Sequence, residues 1–373
     1  MALHLASGPG IIPAPVSVST SRRAWVEVDV GALVDNARTV AKIAGTRLLP
    51  VVKANAYGVG AVTVSRALEQ LDPWGYGVAT IEEGAELRAA GITRPVLVFM
   101  PARAQLFDDY DRYQLTPALG DAGSILEWTT RGDRPFQIEI DTGMGRAGVR
   151  WDEVDELGEA IDTPSFEGCY THFHSAERND GSAERQVERF LGAVGRLPRR
   201  PRFLHVANSA GALRGLKFAF DLVRPGIFLY GGSAAEGVEQ PRPVVSIRAR
   251  VLSVRRIRTG ESVSYNASWV APRDTVVATL GIGYADGVRR DLGLRGNAHV
   301  LLRGKPCPVV GVVQMDMALV ESGTVEVQVG DIATLVGEEA KQRITLGEFA
   351  AWSGELPHEV LTGLGTRLPR LYA

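Results

Sequence analysis

The sequence predicts a (β/α)8 TIM-type barrel followed by a mostly β C-terminal domain. Three observations lead there. From about Trp25 to Gly232, short β-branched runs alternate with longer stretches whose apolar residues fall at helical spacing, the signature of βα units on a parallel sheet. The short runs number eight within about 200 residues, which suits a closed barrel better than an open doubly wound sheet. After Gly232 the helical signal thins and strand-and-turn patterning takes over.

The eight expected strands are Leu48 to Lys53, Gly75 to Thr80, Pro95 to Met100, Leu115 to Leu119, Phe136 to Asp141, Phe166 to Phe173, Phe203 to Ala207 and Phe220 to Arg224. Between them, Ala61 to Leu71, Glu82 to Ala90, Trp151 to Ile161 and Glu184 to Leu197 set apolar residues at helical spacing among charged ones. The polar, proline-bearing segment Ala234 to Pro243 then separates the barrel from the strand-rich C-terminal part of the chain. There, strands are expected at Val244 to Arg256, Thr275 to Leu280, His299 to Leu302, Pro308 to Val313 and Ile332 to Val336, with sparse helical signal whose best candidate is Leu346 to Trp352. The expected organisation is a flexible tail over 1–22, a barrel over 23–244 and a β domain over 245–373. The tail is rich in Ala, Ser, Gly and Pro and has no basic residue ahead of a long apolar run, so it reads as neither a signal peptide nor a membrane anchor.

Composition narrows the partners. With 373 residues, 45% hydrophobic, 23% charged and a formal net charge of −2, the chain can bury a sizeable core and offers no basic excess to attract nucleic acid or an anionic membrane. A small molecule is the expected partner. The two cysteines, Cys169 and Cys307, support neither a disulfide framework nor a thiolate metal site, and His174, His205, His299 and His358 show no metal-ligand spacing and read as structural or solvated. A cytoplasmic, reducing location is therefore expected, with no bound metal.

In a (β/α)8 barrel the reactive residues sit at the C-terminal ends of the strands, and a phosphate is often held by the loops after strands seven and eight. The first strand ends in VVKANAYG, which puts Lys53 at the barrel mouth with Tyr57 four residues on. A lysine there is ordinarily a solvated strand end. Partly desolvated, it is also what Schiff-base chemistry needs, because the neutral amine is the nucleophile. The lysines number only five, which narrows the choice. After strand seven comes HVANSAG, where Asn208 and Ser209 start a helix, and after strand eight comes VRPGIFLYGG, where Pro225 and Gly226 open a second. Each alone is an ordinary helix start; together they form an anion site. Arg224 lies just before that turn and is expected to face the barrel axis. An arginine donates a hydrogen bond to a pyridine nitrogen but does not readily give it a proton, so the ring stays a weaker electron sink, which favours return of a proton over side reactions.

VVKANAYG, DTGMGRAG, HVANSAG, VRPGIFLYG, VSYNASW and GYADG together resemble the motifs of alanine racemases, in the same order and spacing, from about residue 23 to the C-terminus. The resemblance implies a pyridoxal 5'-phosphate (PLP) cofactor. It implies that Lys53 holds the cofactor as a Schiff base, that Tyr57, Asn208, Ser209, Gly226 and Ile227 surround its phosphate, and that Arg224 meets its ring nitrogen with His172 in the hydrogen-bond network. Arg146 matches an arginine that supports the cofactor's phenolic oxygen and the substrate carboxylate, Met315 a residue whose backbone amide meets that carboxylate, and Tyr284 an aromatic that narrows the entrance. Tyr265 matches the second catalytic base, supplied in the family by the other subunit of a head-to-tail homodimer. Two bases on opposite faces of the α-carbon meet the need of racemisation directly. A phenol ordinarily titrates at about 10, so the second base needs a cationic neighbourhood, which the resemblance assigns to His172 and Arg224.

Three positions depart from the family. Glu139 stands where several members carry a carbamylated lysine, and is expected to supply that negative charge permanently, pairing with Arg146 in bidentate fashion. Thr366 replaces a tyrosine common near the C-terminus, and Gln314 replaces a common cysteine before Met315. The leading reading is interconversion of L- and D-alanine, which in bacteria feeds cell-wall (peptidoglycan) synthesis. The alternatives are a related enzyme of secondary metabolism acting on serine or a larger amino acid, a decarboxylase, which Arg224 opposes, and a non-catalytic PLP-binding homologue, which the β domain and Tyr265 oppose.

Overall fold

A computed structural model describes residues 22–373, so the expected N-terminal tail falls almost wholly outside the described residues. The chain divides into two compact units, and each is built from more than one segment. A barrel unit takes Ala32–Val244 and Thr345–Gly365, and a β unit takes the described residues up to Gly31 with Val245–Ile344 and Thr366–Ala373.

Eight short parallel strands make the barrel: β1 (Arg47–Leu48), β2 (Tyr76–Val78), β3 (Val96–Pro101), β4 (Thr116–Leu119), β5 (Phe136–Asp141), β6 (Phe166–Tyr170), β7 (Phe203–His205) and β8 (Leu222–Val223). Strands β2 to β7 form one continuous parallel ladder, and β8 pairs with β1. Backbone bonds close the two gaps: Trp74 N to Leu48 O at 2.8 Å, Gly77 N to Pro50 O at 2.9 Å and Val52 N to Gly77 O at 2.8 Å between β1 and β2, and Asp221 N to Leu204 O at 3.0 Å and Arg224 N to Ala207 O at 2.9 Å between β7 and β8. The near-continuous burial along β4, β5 and β6 is what a parallel sheet covered on both faces requires.

Side chains fill the barrel in layers. Leu49, Trp74, Leu97, Ala118, Tyr170, Phe203 and Leu222 form a buried apolar cluster with Phe99 against it. A polar pair lies among them: the Gln137 side chain passes over Gly168, where an added Cβ would sit 2.6 Å from its amide carbon, and its Oε1 meets His205 Nε2 at 2.7 Å. Gly168 is thus the space that lets a polar side chain cross the barrel interior.

The helices differ from the sequence pattern in several places, Phe107–Tyr113, Ala122–Thr129 and Pro357–Thr362 among them. A fifteen-residue helix, Val30–Ala44, precedes β1 and buries Leu33, Ala37 and Val40, an element the strand count does not anticipate. The expected helix Trp151 to Ile161 is instead a 3-10 segment, Val154–Ile161, broken at Gly158, whose φ of 53° and ψ of −140° no helix accommodates.

In the β unit, the thirteen-residue strand Val245–Ile257 is the axis. It pairs antiparallel with Ala24–Val28, Thr275–Leu280 and Ile332–Glu339, and its first half alternates buried and half-buried residues as a one-sided strand does. The strand expected over Pro308 to Val313 begins earlier, at Lys305–Pro308, as the return arm of a hairpin from His299–Leu302. Among the described residues no helix is long and apolar enough to cross a membrane, and no cluster of His, Cys, Asp and Glu could hold a metal ion.

Candidate active site

A cavity of about 710 Å³ opens at the C-terminal ends of the barrel strands and is lined by the barrel unit alone. Every barrel residue expected at the site lines it, from Lys53 and Tyr57 through Arg146 and His172 to the segments around Asn208 and Gly226.

The segment carrying Lys53 is wound the wrong way for L-residues. Ala54, Asn55, Ala56 and Tyr57 have φ of 52°, 53°, 51° and 54°, a left-handed turn of four consecutive non-glycine residues that Gly58 continues at 83°. Asn tolerates this geometry, but Ala54, Ala56 and Tyr57 each cost roughly 1–2 kcal/mol, so the turn stores roughly 3–6 kcal/mol that surrounding contacts must offset. The turn makes its own bonds, from Ala56 N to Val52 O and from Gly58 N to Ala54 O, both 2.8 Å. Side chains tie its two ends: Ala54 N donates to Glu83 Oε1 at 2.6 Å, and Ala61 N donates to Asn55 Oδ1 at 2.8 Å. The result places Lys53 and Tyr57, four residues apart, on the same cavity.

Burial lowers the Lys53 amine below its ordinary pKa, and the Arg146 guanidinium lowers it further against the opposing pull of Glu83. More of the neutral, nucleophilic form is therefore present at a given pH. His172 is pushed down to about 3, by burial first and then by Arg224, Arg146 and Lys53, so its ring is neutral.

One end of the cavity is a set of hydrogen-bond donors. Tyr57 stacks on Tyr230 with ring centroids 4.7 Å apart, and burial pushes its phenol up to about 12, which keeps the proton on. Its hydroxyl lies so close to Gly226 that an added Cβ there would sit 2.4 Å away. Ser209 Oγ accepts from Gly226 N at 2.8 Å, leaving its own proton to donate, and Ile227 N has no acceptor among the described residues. Asn208 behaves as an ordinary N-cap, accepting from Gly211 N at 3.0 Å, while also lining the cavity.

Arg224 also lines the cavity and is only 3% exposed. It donates through Nη1 to His205 Nδ1 and His205 O, both at 2.8 Å, and through Nη2 to Thr171 O at 2.6 Å and Val206 O at 3.2 Å. Four of the five guanidinium N–H groups are satisfied by the barrel, and Nε–H has no acceptor among the described residues. Burial lowers Arg224 to about 10, still cationic at neutral pH. Because arginine only donates, His205 Nδ1 must accept, so the ring is the neutral tautomer whose Nε2–H donates to Gln137 Oε1. The sequence reads His205 as structural or solvated and associates Arg224 with His172 through the resemblance. In the single chain His205 is the fully buried partner of Arg224, while the His172 ring lies near enough to feel the Arg224 charge but makes no hydrogen bond among the described residues.

Glu139 is buried beside them. Tyr170 donates to its Oε2 at 3.3 Å, and Arg146 approaches its Oε1 only to 3.9 Å, a loose ion pair in place of the bidentate one expected. Burial raises the Glu139 carboxyl, against the lowering effect of Arg146 and Arg224. His358 also reaches the cavity wall, its ring 5.8 Å from that of Tyr57, where no spacing pattern points.

The remaining expected residues gather on loops of the β unit. Tyr284 N donates to Gln314 O at 2.9 Å and Ala285 N to Met315 O at 3.0 Å, which brings Tyr284 and Met315 side by side. Tyr265 lies in a 3-10 turn between Ser264, with φ of 68°, and Asn266, with φ of 60°. Ser264 Oγ donates to Val312 O at 2.6 Å and ties this turn to the loop leading to Gln314. Tyr265, Met315 and Tyr284 are 62%, 52% and 39% exposed. Fully buried Asp286 anchors the same loops, accepting from both terminal nitrogens of Arg23 at 2.8 and 2.7 Å, from Arg367 Nε at 3.1 Å and from Gly283 N at 3.0 Å, an ionic knot that sequence spacing gives no reason to expect. Thr366 stands exposed beside Arg367.

The barrel residues fit PLP on the chemistry of their donors. Tyr57, Ser209 and the Ile227 amide offer three donors around a glycine whose missing side chain leaves room, as a phosphate needs. A buried arginine with one N–H to spare suits a ring nitrogen, and a desolvated lysine suits an aldehyde.

Models of two families match the chain: alanine racemase, N-terminal domain, over residues 28–234, and alanine racemase, C-terminal domain, over 244–372. The alanine racemase of Carboxydothermus hydrogenoformans is 36% identical over 368 residues, covering 94% of this chain and all of its own length. Among solved structures, the alanine racemase of Bartonella henselae with covalently bound pyridoxal phosphate superposes with a TM-score of 0.87 at 31% identity, over 94% of this chain and all of that one. That of Bacillus anthracis with bound L-Ala-P superposes with a TM-score of 0.87 at 30% identity, over 94% of this chain and 95% of that one.

Proposed function

Since the chain belongs to the alanine racemase family, we propose that Lys53 and Tyr265 serve opposite faces of the substrate α-carbon in its reaction, the interconversion of L- and D-alanine with PLP as cofactor. When bound, PLP supplies an electron sink that acidifies the α-hydrogen. Lys53 holds the cofactor and moves the proton on one face through its amine. Tyr57, Ser209, Gly226 and Ile227 bind the phosphate with Asn208 capping the helix behind them, and none of the side chains among them brings a net charge. Arg146 meets the substrate carboxylate, with Glu139 in place of a carbamate steadying its guanidinium. His172 stays neutral and fills the wall between Arg224 and Lys53.

Arg224 is the observation that carries this reading. Held by four barrel acceptors and cationic at neutral pH, it would offer a ring nitrogen a hydrogen bond in place of a proton, which suits return of a proton to the α-carbon. A decarboxylase would need a carboxylic acid at that place.

The second base comes, in this reading, from a partner copy. Tyr265, Met315 and Tyr284 are exposed on one loop cluster of the β unit, as side chains that complete a neighbour's site would be in a single chain. A homodimer with shared sites is the consequence. Both cysteines are free and buried, which suits a reducing cytoplasm. Turnover of L-alanine, L-serine and several bulkier L-amino acids, followed by chiral chromatography, tests the substrate. Alanine should lead; alanine far behind another amino acid would replace this substrate with the serine or larger-substrate alternative.

A further inference from the structure

We propose that Glu83 is the positioning residue of the site, the group that holds the left-handed Lys53 turn against the end of the neighbouring strand. The proposal rests on the reading of Lys53 as the cofactor lysine. Glu83 sits in the first turn of the helix Ile81–Ala89, one strand away from Lys53. Its two carboxylate oxygens divide their work. Oε1 accepts from Ala54 N at 2.6 Å, and Oε2 accepts from Ala79 N at 2.7 Å and Thr80 N at 3.3 Å.

Those three donors belong to two segments that otherwise meet through β1 and β2. Ala54 N, at the start of the turn, lies outside the turn's own hydrogen bonds, and a carboxylate is the stronger acceptor because the bond is charge-assisted. Lys53 immediately precedes that amide, so its backbone direction is set by where Ala54 N points. Glu83 also acts on Lys53 through space, raising its amine pKa against burial and Arg146. The same carboxylate thus sets the direction of the lysine and counters the cation beside it.

The capping role of Glu83 can be separated from this one. Thr80 Oγ1 accepts from Glu83 N at 3.4 Å and caps the same helix without touching the Lys53 turn. Thr80→Val therefore weakens the cap alone. Glu83→Ala removes cap and clamp, whereas Glu83→Gln keeps one acceptor oxygen, turns a donor NH2 toward the remaining N–H groups and loses the charge.

The test compares T80V, E83A, E83Q and K53A enzymes by hydrogen–deuterium exchange, PLP titration and steady-state kinetics. E83A should speed exchange of the amides of Ala54 to Gly58 at least tenfold, weaken PLP roughly tenfold, and lower kcat with little change in KM for alanine. E83Q, with one acceptor oxygen left, should fall between E83A and T80V in exchange, PLP affinity and kcat. T80V should match the wild type in all three. If E83A fails to fold, E83Q decides, since its kcat and PLP affinity must fall below those of T80V. E83A or E83Q behaving as T80V does in exchange and PLP affinity overturns the proposal. PLP held covalently by K53A would instead overturn the reading of Lys53, and exchange at 54–58 reads the clamp independently of that outcome.

Discussion

Arg224 Nη1 lies 2.8 Å from Nδ1 of His205, and this bond fixes the protonation of a histidine on the inner wall of the barrel. The arginine cannot accept, so His205 must, and the other ring nitrogen is left to donate to Gln137. A buried cation thereby obtains an acceptor without any carboxylate in direct contact, which leaves its charge available at the cavity.

Removing that acceptor should be costly. His205→Ala leaves a fully buried guanidinium N–H without its partner, for which about 2–3 kcal/mol is expected, besides the loss of packing. Urea unfolding of the variant against the wild type measures it. A loss below about 0.5 kcal/mol would mean that Arg224 finds another acceptor on its own.

His172 predicts a pH dependence. Its folded pKa of about 3 lies below the ordinary 6.5, so the unfolded chain binds a proton that the folded one refuses. Stability from this group is full above pH 6.5 and falls as the pH drops from 6.5 toward 3, by at most about 1.4 kcal/mol per pH unit. His205, lowered well below 6.5 by burial and then by Arg224, acts in the same direction. Urea unfolding at about pH 7 and about pH 4.5 should show His172→Gln losing less stability across that interval than the wild type. Equal losses would show that His172 does not titrate there.

Glu139 predicts independence from carbon dioxide. With a carboxylate built into the chain, no lysine near Arg146 has to carry a carbamate, so the intact mass should equal the sequence mass and turnover should survive removal of bicarbonate. Glu139→Gln should lower kcat/KM for alanine roughly tenfold, about 1.4 kcal/mol, mostly through KM, because Arg146 then lacks its nearest negative charge. An effect confined to kcat would place Glu139 elsewhere in the chemistry.

Much of the barrel is legible in the sequence because strand and helix periods differ. The pattern gives Phe136 to Asp141 to the residue, and the runs around it to within a few. The features that escape depend on partners far away in sequence. Ala54, Asn55, Ala56 and Tyr57 include only one residue type with any preference for left-handed geometry; a carboxylate 29 residues on from Ala54 helps to hold them there. His205 escapes for a similar reason, since its role comes from an arginine 19 residues later. The helix Val30–Ala44 is missed because its apolar residues precede the first strand, where the barrel rhythm gives no expectation. The placement of Lys53, Ser209 and Gly226 at the cavity is legible from local motifs because each lies within a few residues of a strand end or a helix start.

Racemisation through two bases depends most directly on the pair Lys53 and Tyr265. Tyr265→Phe removes one phenolic oxygen from a side chain that is 62% exposed in the single chain, so the fold and the barrel cavity should be unaffected. Absorbance of bound PLP and chiral chromatography of alanine, measured on the same preparation, give the decisive comparison. The expected result is unchanged cofactor absorbance with racemisation reduced at least about a hundredfold, in line with the typical contribution of a general acid or base. Racemisation at the wild-type rate in Tyr265→Phe would contradict the two-base assignment.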